Sequence, residues 1–261
     1  MIVDYHLHLR DLRGRIAHRV DAVEPFVETA AARGVDEIGF AEHVFYFRQT
    51  AAVWTSTYTA ERCVYDLDDY VEAVVEAKAR GLPVKLGLEV DYVGERQDEL
   101  AAALEPYPWD YLLGSVHELD GLAIDSAPDG GVWAELSVEE VWRRYFEAQA
   151  ELAASGHVDV LAHPDLPKIF GRRPAGGIQY PRLDGVALEI STNGRYKPVG
   201  ELYPDAGFLD SARLPITLAS DAHVPENVGR DFDLALELAR AAGYETVTVF
   251  EGRRARQEPL G

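Results

Sequence analysis

The chain has 261 residues, 47% of them apolar and 10% aromatic, enough for one large α/β barrel or two modest domains and too apolar for disorder. With 25 basic and 45 acidic residues its formal net charge is −20, which excludes a nucleic-acid partner in the absence of a local basic groove. No apolar run reaches the roughly 20 residues of a membrane span, the N-terminus is no secretory signal, and the lone Cys63 excludes a disulfide framework or a Cys-built zinc site; the expectation is a cytoplasmic enzyme.

Short apolar runs that read as strands fall at residues 2–5, 37–41, 84–90, 111–116, 158–162, 186–190, 216–219 and 246–250. Between them lie segments with helical spacing. Over 67–80, Tyr70, Val71, Val74, Val75 and Ala79 share one stripe, with Asp66 or Asp68 as cap and Gly81 as stop. Over 137–154, Ser137 and Glu140 form a capping-box pattern ahead of Val141, Trp142 and Tyr145. A third helix is predicted over 225–242, ended by Gly243. Alternating strands and helices over this length predict a parallel barrel of seven or eight strands, one domain over residues 1–261. A doubly wound open sheet competes, but its Gly-rich phosphate turn is missing after the first strand, where His6-Leu7-His8 stands. The long irregular stretches 44–66 and 117–136 are the kind that shape a pocket rim.

Six of the eight histidines, His6, His8, His43, His117, His163 and His223, fall at or just past the C-terminal end of a predicted strand. Random placement would put about one there, since such positions make up roughly a tenth of a barrel. The same ends carry Glu89, Glu189 and Asp221. In a strand, side chains two apart share a face, so His6 pairs with His8, and Asp221 with His223. Taken singly, each histidine is equally readable as a hydrogen-bonded core residue. Together, imidazoles and carboxylates without thiolate suit zinc, manganese or iron(II), and metal binding offsets the cost of crowding them.

The ordered series HLH, EH, GLEVDY, GSVH, AHPD and SDAH resembles the PHP (polymerase and histidinol phosphatase) superfamily of metal-dependent phosphoesterases. Within it, EISTNGRYKPVGELYP and LASDAHVPENVG look most like the histidinol-phosphatase branch. The resemblance covers residue 2 to about residue 230 and implies a distorted (β/α)7 TIM-like barrel of the PHP fold with two or three divalent ions. It implies one ion held by His6, His8, Glu89 and Asp221, and a second held by Glu89, His117 and His163. The third would take His43, His223 and a further histidine. In relatives that histidine follows the His-x-His pair closely; here the loop LRDLRGRIAH delays it to His18. A second departure places Tyr196 where relatives carry an arginine directly before the lysine, with Arg195 one residue earlier.

The implied reaction is hydrolysis of a small-molecule phosphate monoester, L-histidinol phosphate, by a metal-bridged hydroxide. The candidate catalytic residues are Glu89, Asp221 and His223, and Arg10, Arg195 and Lys197 are candidate phosphate contacts. Asp4 and Asp165 are placed behind ligand imidazoles as orienting carboxylates, Glu42 is read on the opposite strand face in a supporting or structural role, and His157 lies at the far end of the barrel. Asp91, Tyr92, Glu118 and Asp120 are candidates for the substrate's amine and imidazole end. Two alternatives stay open: a related phosphoesterase acting on nucleotides or other small esters, and a non-catalytic metal-binding module.

Overall fold

A computed structural model describes all residues from Met1 to Gly261. Seven parallel strands form one sheet in chain order: β1 (Val3–Leu7), β2 (Glu37–His43), β3 (Val84–Asp91), β4 (Leu113–Ser115), β5 (Val160–Leu161), β6 (Ala187–Ser191) and β7 (Ile216–Ala219). The residues of β1 and β6 are buried throughout, as expected where helices cover the outside and side chains fill the inside. The edges meet just past β7. There the Leu7 and Ala222 backbones form a parallel bridge, with His8 N donating to Ala222 O at 2.9 Å and Ala222 N to His6 O at 3.2 Å. The resulting barrel is nearly closed, and its seam lies between His6-Leu7-His8 and Asp221-Ala222-His223.

Tyr111 shows how the interior is filled. Its hydroxyl donates to Tyr5 O at 2.7 Å, and the two rings stack with centroids 5.0 Å apart. This ring occupies the space over Gly39 of β2 and Gly87 of β3: a β-carbon at either position would land on it. Glycine is therefore required at both positions for lack of room.

The predicted eighth strand forms but does not join the barrel. Residues Thr246–Glu251 (β8) pair antiparallel with Arg254–Pro259 (β9), a strand that polar residues conceal from apolar pattern-reading. This hairpin caps the N-terminal barrel end. Phe250 packs against Tyr5 and Tyr111 at centroid distances of 6.2 and 5.9 Å, and Arg253 reaches Asp159 Oδ2 at 2.9 Å.

Helices Glu24–Ala32 (α1), Leu67–Ala79 (α2) and Gln97–Leu104 (α3) are followed by Val138–Ala154 (α4), Ala206–Ala212 (α5) and Phe232–Ala241 (α6). The caps follow the sequence pattern: Asp66 accepts from Asp68 N at 3.1 Å, and Ser137 accepts from Glu140 N at 3.2 Å. On α2 the buried stripe is rotated from the predicted one. Ala73 and Ala77 face inward with Tyr70, Val71 and Val74, while Val75 and Ala79 are exposed; small side chains there let the helix approach the sheet. The helix predicted over 225–242 is broken. A 3-10 turn at Pro225–Asn227 is separated from α6 by Gly229 and Asp231, with φ of 63° and 55°. Gly229 N donates to buried Asp4 Oδ2 at 2.8 Å, which fixes the break.

Gly87→Ala is expected to destabilise the fold by about 1–3 kcal/mol, the usual cost of overpacking, and to lose most of that effect in a Tyr111→Leu background. Chemical denaturation of the four-variant cycle checks this; equal costs in both backgrounds would contradict the packing account.

Candidate metal centre

The strands deliver their C-terminal residues to one mouth. Adjacent strands β2 and β3 hold His43 and Glu89 as direct neighbours in register, and the barrel seam sets His6 and His8 beside Asp221 and His223. His163 and Asp221 adopt left-handed backbone conformations, with φ of 30° and 48°. Such conformations cost of order 1–3 kcal/mol each outside glycine and concentrate at functional sites.

Buried Glu89 lies at the centre. Its Oε2 meets His43 Nδ1 at 2.6 Å and His6 Nε2 at 3.4 Å; its Oε1 meets His163 Nε2 at 3.1 Å and His117 Nε2 at 3.3 Å. Asp221 Oδ1 stands 3.2 Å from His8 Nε2 and 3.6 Å from His223 Nδ1. Potential ligand atoms in each of three groups lie within 4.8 Å of one another: His6, His8 and Asp221; His43, Glu89 and His117; and His8, His43 and His223. Of the buried atoms facing this mouth, His6 Nε2 and His8 Nε2 have no hydrogen-bond partner, while His43 Nδ1 and Glu89 Oε2 meet only each other and are not aligned as a hydrogen bond. Unpaired buried polar atoms are costly. Their convergence on one mouth fits divalent cations, as does the nitrogen-and-oxygen donor set.

A carboxylate backs each of three imidazoles. His6 Nδ1 donates to Glu189 Oε2 at 2.7 Å, His8 Nδ1 to Glu42 Oε1 at 3.0 Å, and His117 Nδ1 to Asp91 Oδ1 at 2.7 Å. These bonds assign the proton to Nδ1 and leave Nε2 as an inward-facing donor of electrons. The same carboxylates also favour a second proton on the ring, which a cation binding at Nε2 must displace. Burial pushes His6 down, but Glu189, Glu89 and Asp221 together hold it well above the ordinary histidine range. Burial likewise opposes Glu89 and Asp91 at His117, which ends at about 10. His43 is lowered, by burial and by His8 and His117 beside it, although Glu89 pulls the other way. Burial would raise Glu89 and Asp221, yet the surrounding imidazoles hold both well below the usual carboxylate range.

Residues 4–193 match the PHP domain family. The chain belongs to that family. A relative from Deinococcus radiodurans, described as a probable histidinol-phosphatase, is 31% identical over 259 residues, covering 95% of this chain and 96% of its own. The Bacillus subtilis histidinol-phosphatase is 25% identical, covering 83% of this chain and 92% of its own. Among solved structures, the histidinol phosphate phosphatase of Lactococcus lactis, crystallised with zinc, L-histidinol and phosphate, superposes with a TM-score of 0.69 at 21% identity, covering 98% of each chain. At that identity the superposition establishes the barrel fold.

Several expectations are corrected by the geometry of this PHP chain. His18 does not stand with His43 and His223. The 9–17 loop folds back through the Arg10–Ile16 bridge and the Ala17 N to Leu9 O bond, which puts His18 behind Glu42. Its Nε2 is 3.4 Å from Glu42 Oε2, and its ring packs on Phe47, Tyr65 and Tyr70; His8 completes the third group instead. Asp4 and Asp165 orient no imidazole. Asp4 accepts from Ser220 N and Gly229 N, while Asp165 pairs with Lys168 Nζ at 2.7 Å; burial raises both carboxyls to about 6. Glu42, Asp91 and Glu189 do that work; for Glu189, its place at a strand end beside the histidines was the available signal.

Of the expected phosphate contacts, Arg10 and Arg195 are each paired with a carboxylate. Arg10 is buried with Nη2 3.0 Å from Glu42 Oε1, balancing that carboxylate. Arg195 Nε donates to Asp231 Oδ2 at 2.8 Å, and Lys197 is exposed. His157 pairs with Asp98 away from the cluster. Asp91, Tyr92, Glu118 and Asp120 do come together, lining with Trp54 and Ser56 a cavity of about 210 Å³ that adjoins the cluster through Asp91.

Replacing a carboxylate behind a ligand histidine weakens metal affinity by about 10–100-fold, so Glu189→Gln is expected to fall in that range while His18→Ala stays near the parent. Competition titration against a chelating dye measures both. A loss at His18→Ala equal to that at Glu189→Gln would contradict the arrangement.

Proposed function

We propose that the chain hydrolyses L-histidinol phosphate to L-histidinol and phosphate, using two or three divalent ions of the zinc, manganese or iron(II) class. One observation carries the reading: six imidazoles and two carboxylates converge on one barrel mouth with buried, partnerless atoms turned inward. The substrate is supported by the named relatives and by the acidic cavity beside Asp91, which suits a ligand with an amine and an imidazole. We place the reaction in the cytoplasm.

His6, His8, Glu89 and Asp221 would hold one ion, Glu89 with His117 and His163 a second, and His43 and His223 with His8 a third. Bound there, such ions supply Lewis-acid activation of water and neutralise charge on the phosphoryl oxygens. The remaining work belongs to the chain. Glu89 turns one oxygen to His163 and His117 and the other to His43 and His6, so it ties the two halves of the cluster to one spacing. Glu189, Glu42 and Asp91 hold the protons of His6, His8 and His117 on the outer nitrogens. His223 is the exposed member, with a side chain 48% accessible, so substrate approaches from its side. The other members are mostly buried, with side chains at most 16% accessible, which strengthens electrostatic stabilisation of developing charge.

Steady-state rates on a panel of phosphomonoesters, with and without chelator, test this. We expect kcat/KM for L-histidinol phosphate to exceed that for p-nitrophenyl phosphate, nucleotides and sugar phosphates by at least about tenfold, which is roughly 1.4 kcal/mol of transition-state binding. Activity should vanish with chelator and return with zinc, manganese or iron(II). No preference for L-histidinol phosphate would overturn the substrate, and no chelator-sensitive turnover of any ester would leave a metal-binding module.

A further inference from the structure

A phosphate ester entering this mouth meets few uncommitted cations. Arg10 is committed to Glu42, Arg195 to Asp231, and Lys197 stands in solvent. Arg230 differs from all three. It occupies the break before α6, between left-handed Gly229 and Asp231. Its guanidinium lies 3.7 Å from the Tyr196 ring centroid, and its Nη2 donates to Asn193 Oδ1 at 2.6 Å. Asn193 in turn donates through Nδ2 to Asp221 Oδ2, so a single amide separates Arg230 from a member of the metal cluster.

The donors of Arg230 are largely unspent. Its Nε is buried without a partner, its Nη1 has no protein acceptor, and no carboxylate stands within ion-pair distance. In a chain with 45 acidic and 25 basic residues, a half-buried arginine left without a carboxylate is poorly explained by fold stability, since a buried unpaired charge is costly. The placement is also enforced. Asp4 grips Gly229 N at 2.8 Å and Ser220 N at 2.8 Å, which ties the arginine's backbone to the strand end bearing Asp221. Stacking on Tyr196 fixes the plane of the guanidinium, and planar donors recognise phosphate oxygens with defined geometry.

We propose that Arg230 binds a non-bridging oxygen of the substrate's phosphoryl group on the Asp221 side of the cluster, held in position by Tyr196 and Asn193. This rests on the phosphatase reading but not on the identity of the alcohol. The test uses metal-loaded enzyme and inorganic phosphate as probe, measured by direct titration and as a competitive inhibitor of p-nitrophenyl phosphate hydrolysis. Charge-assisted hydrogen bonds to phosphate lead us to expect Arg230→Gln to weaken phosphate binding and raise KM by about tenfold to a hundredfold. Metal content and thermal midpoint should stay near the parent, and Arg230→Lys should recover part of the affinity. Tyr196→Leu should shift phosphate affinity in the same direction by less, giving a second variant that leaves the charge in place. Unchanged phosphate affinity in Arg230→Gln with full metal content would overturn the proposal. A parent enzyme that binds no phosphate would overturn it together with the phosphatase reading. Phosphate binding that depends on Arg230, in an enzyme without preference for L-histidinol phosphate, would support it and remove only the substrate.

Discussion

Carboxylate-to-imidazole hydrogen bonding is the constraint on which the site depends. An imidazole has two nitrogens, and a cluster that grips cations needs the bare one of each ring turned inward. Glu189, Glu42 and Asp91 settle that choice for His6, His8 and His117 by taking the outer proton. The arrangement has its own requirement, since Glu42 and Glu189 are buried carboxyl groups that need partners. Arg10 and His18 answer it at Glu42, which burial would otherwise raise but which is held well below the carboxylate range. At Glu189 the second oxygen accepts from the His163 backbone at 3.2 Å. Behind His8 the supporting charges thus form a buried network of Glu42, Arg10 and His18, in which removal of one partner leaves another uncompensated.

The two ends of the barrel divide their tasks. At the N-terminal end, Tyr5, Tyr111 and Phe250 fill the interior, and the β8–β9 hairpin covers it. At the C-terminal end the interior is polar, the backbone is strained at His163 and Asp221, and several buried atoms lack partners. A rigid, well-packed base is what permits that strain to persist at the other end.

Much of this was legible in the sequence because strand alternation and strand-end position are local properties. The placement of His6, His8, His43, Glu89, His117, His163, Asp221 and His223 at one mouth followed from counting where apolar runs end. What was not legible depends on contacts across the barrel. The resemblance offered His18 as the stand-in for a histidine that relatives carry closer to the His-x-His pair, but the return of the 9–17 loop puts it behind Glu42. Asp4 looked like a partner for imidazole because of its neighbours in sequence, whereas its partners Ser220 and Gly229 lie more than two hundred residues away. The same distant bond breaks the predicted 225–242 helix and so delivers Arg230, which helical periodicity would have left on an anonymous surface. The β9 strand was invisible because residues 254–259 carry almost no apolar pattern.

The central claim is that the inward-facing nitrogens and the Glu89 carboxylate grip metal. Diffraction from crystals of the purified protein at the zinc, manganese and iron absorption edges tests it most directly. The account predicts anomalous peaks at the barrel mouth, with one within ligand distance of Glu89 and of the Nε2 atoms of His6 or His117. Featureless density there, with those rings bonded only to Glu89 and Asp221 in crystals grown with the metals supplied, would contradict it.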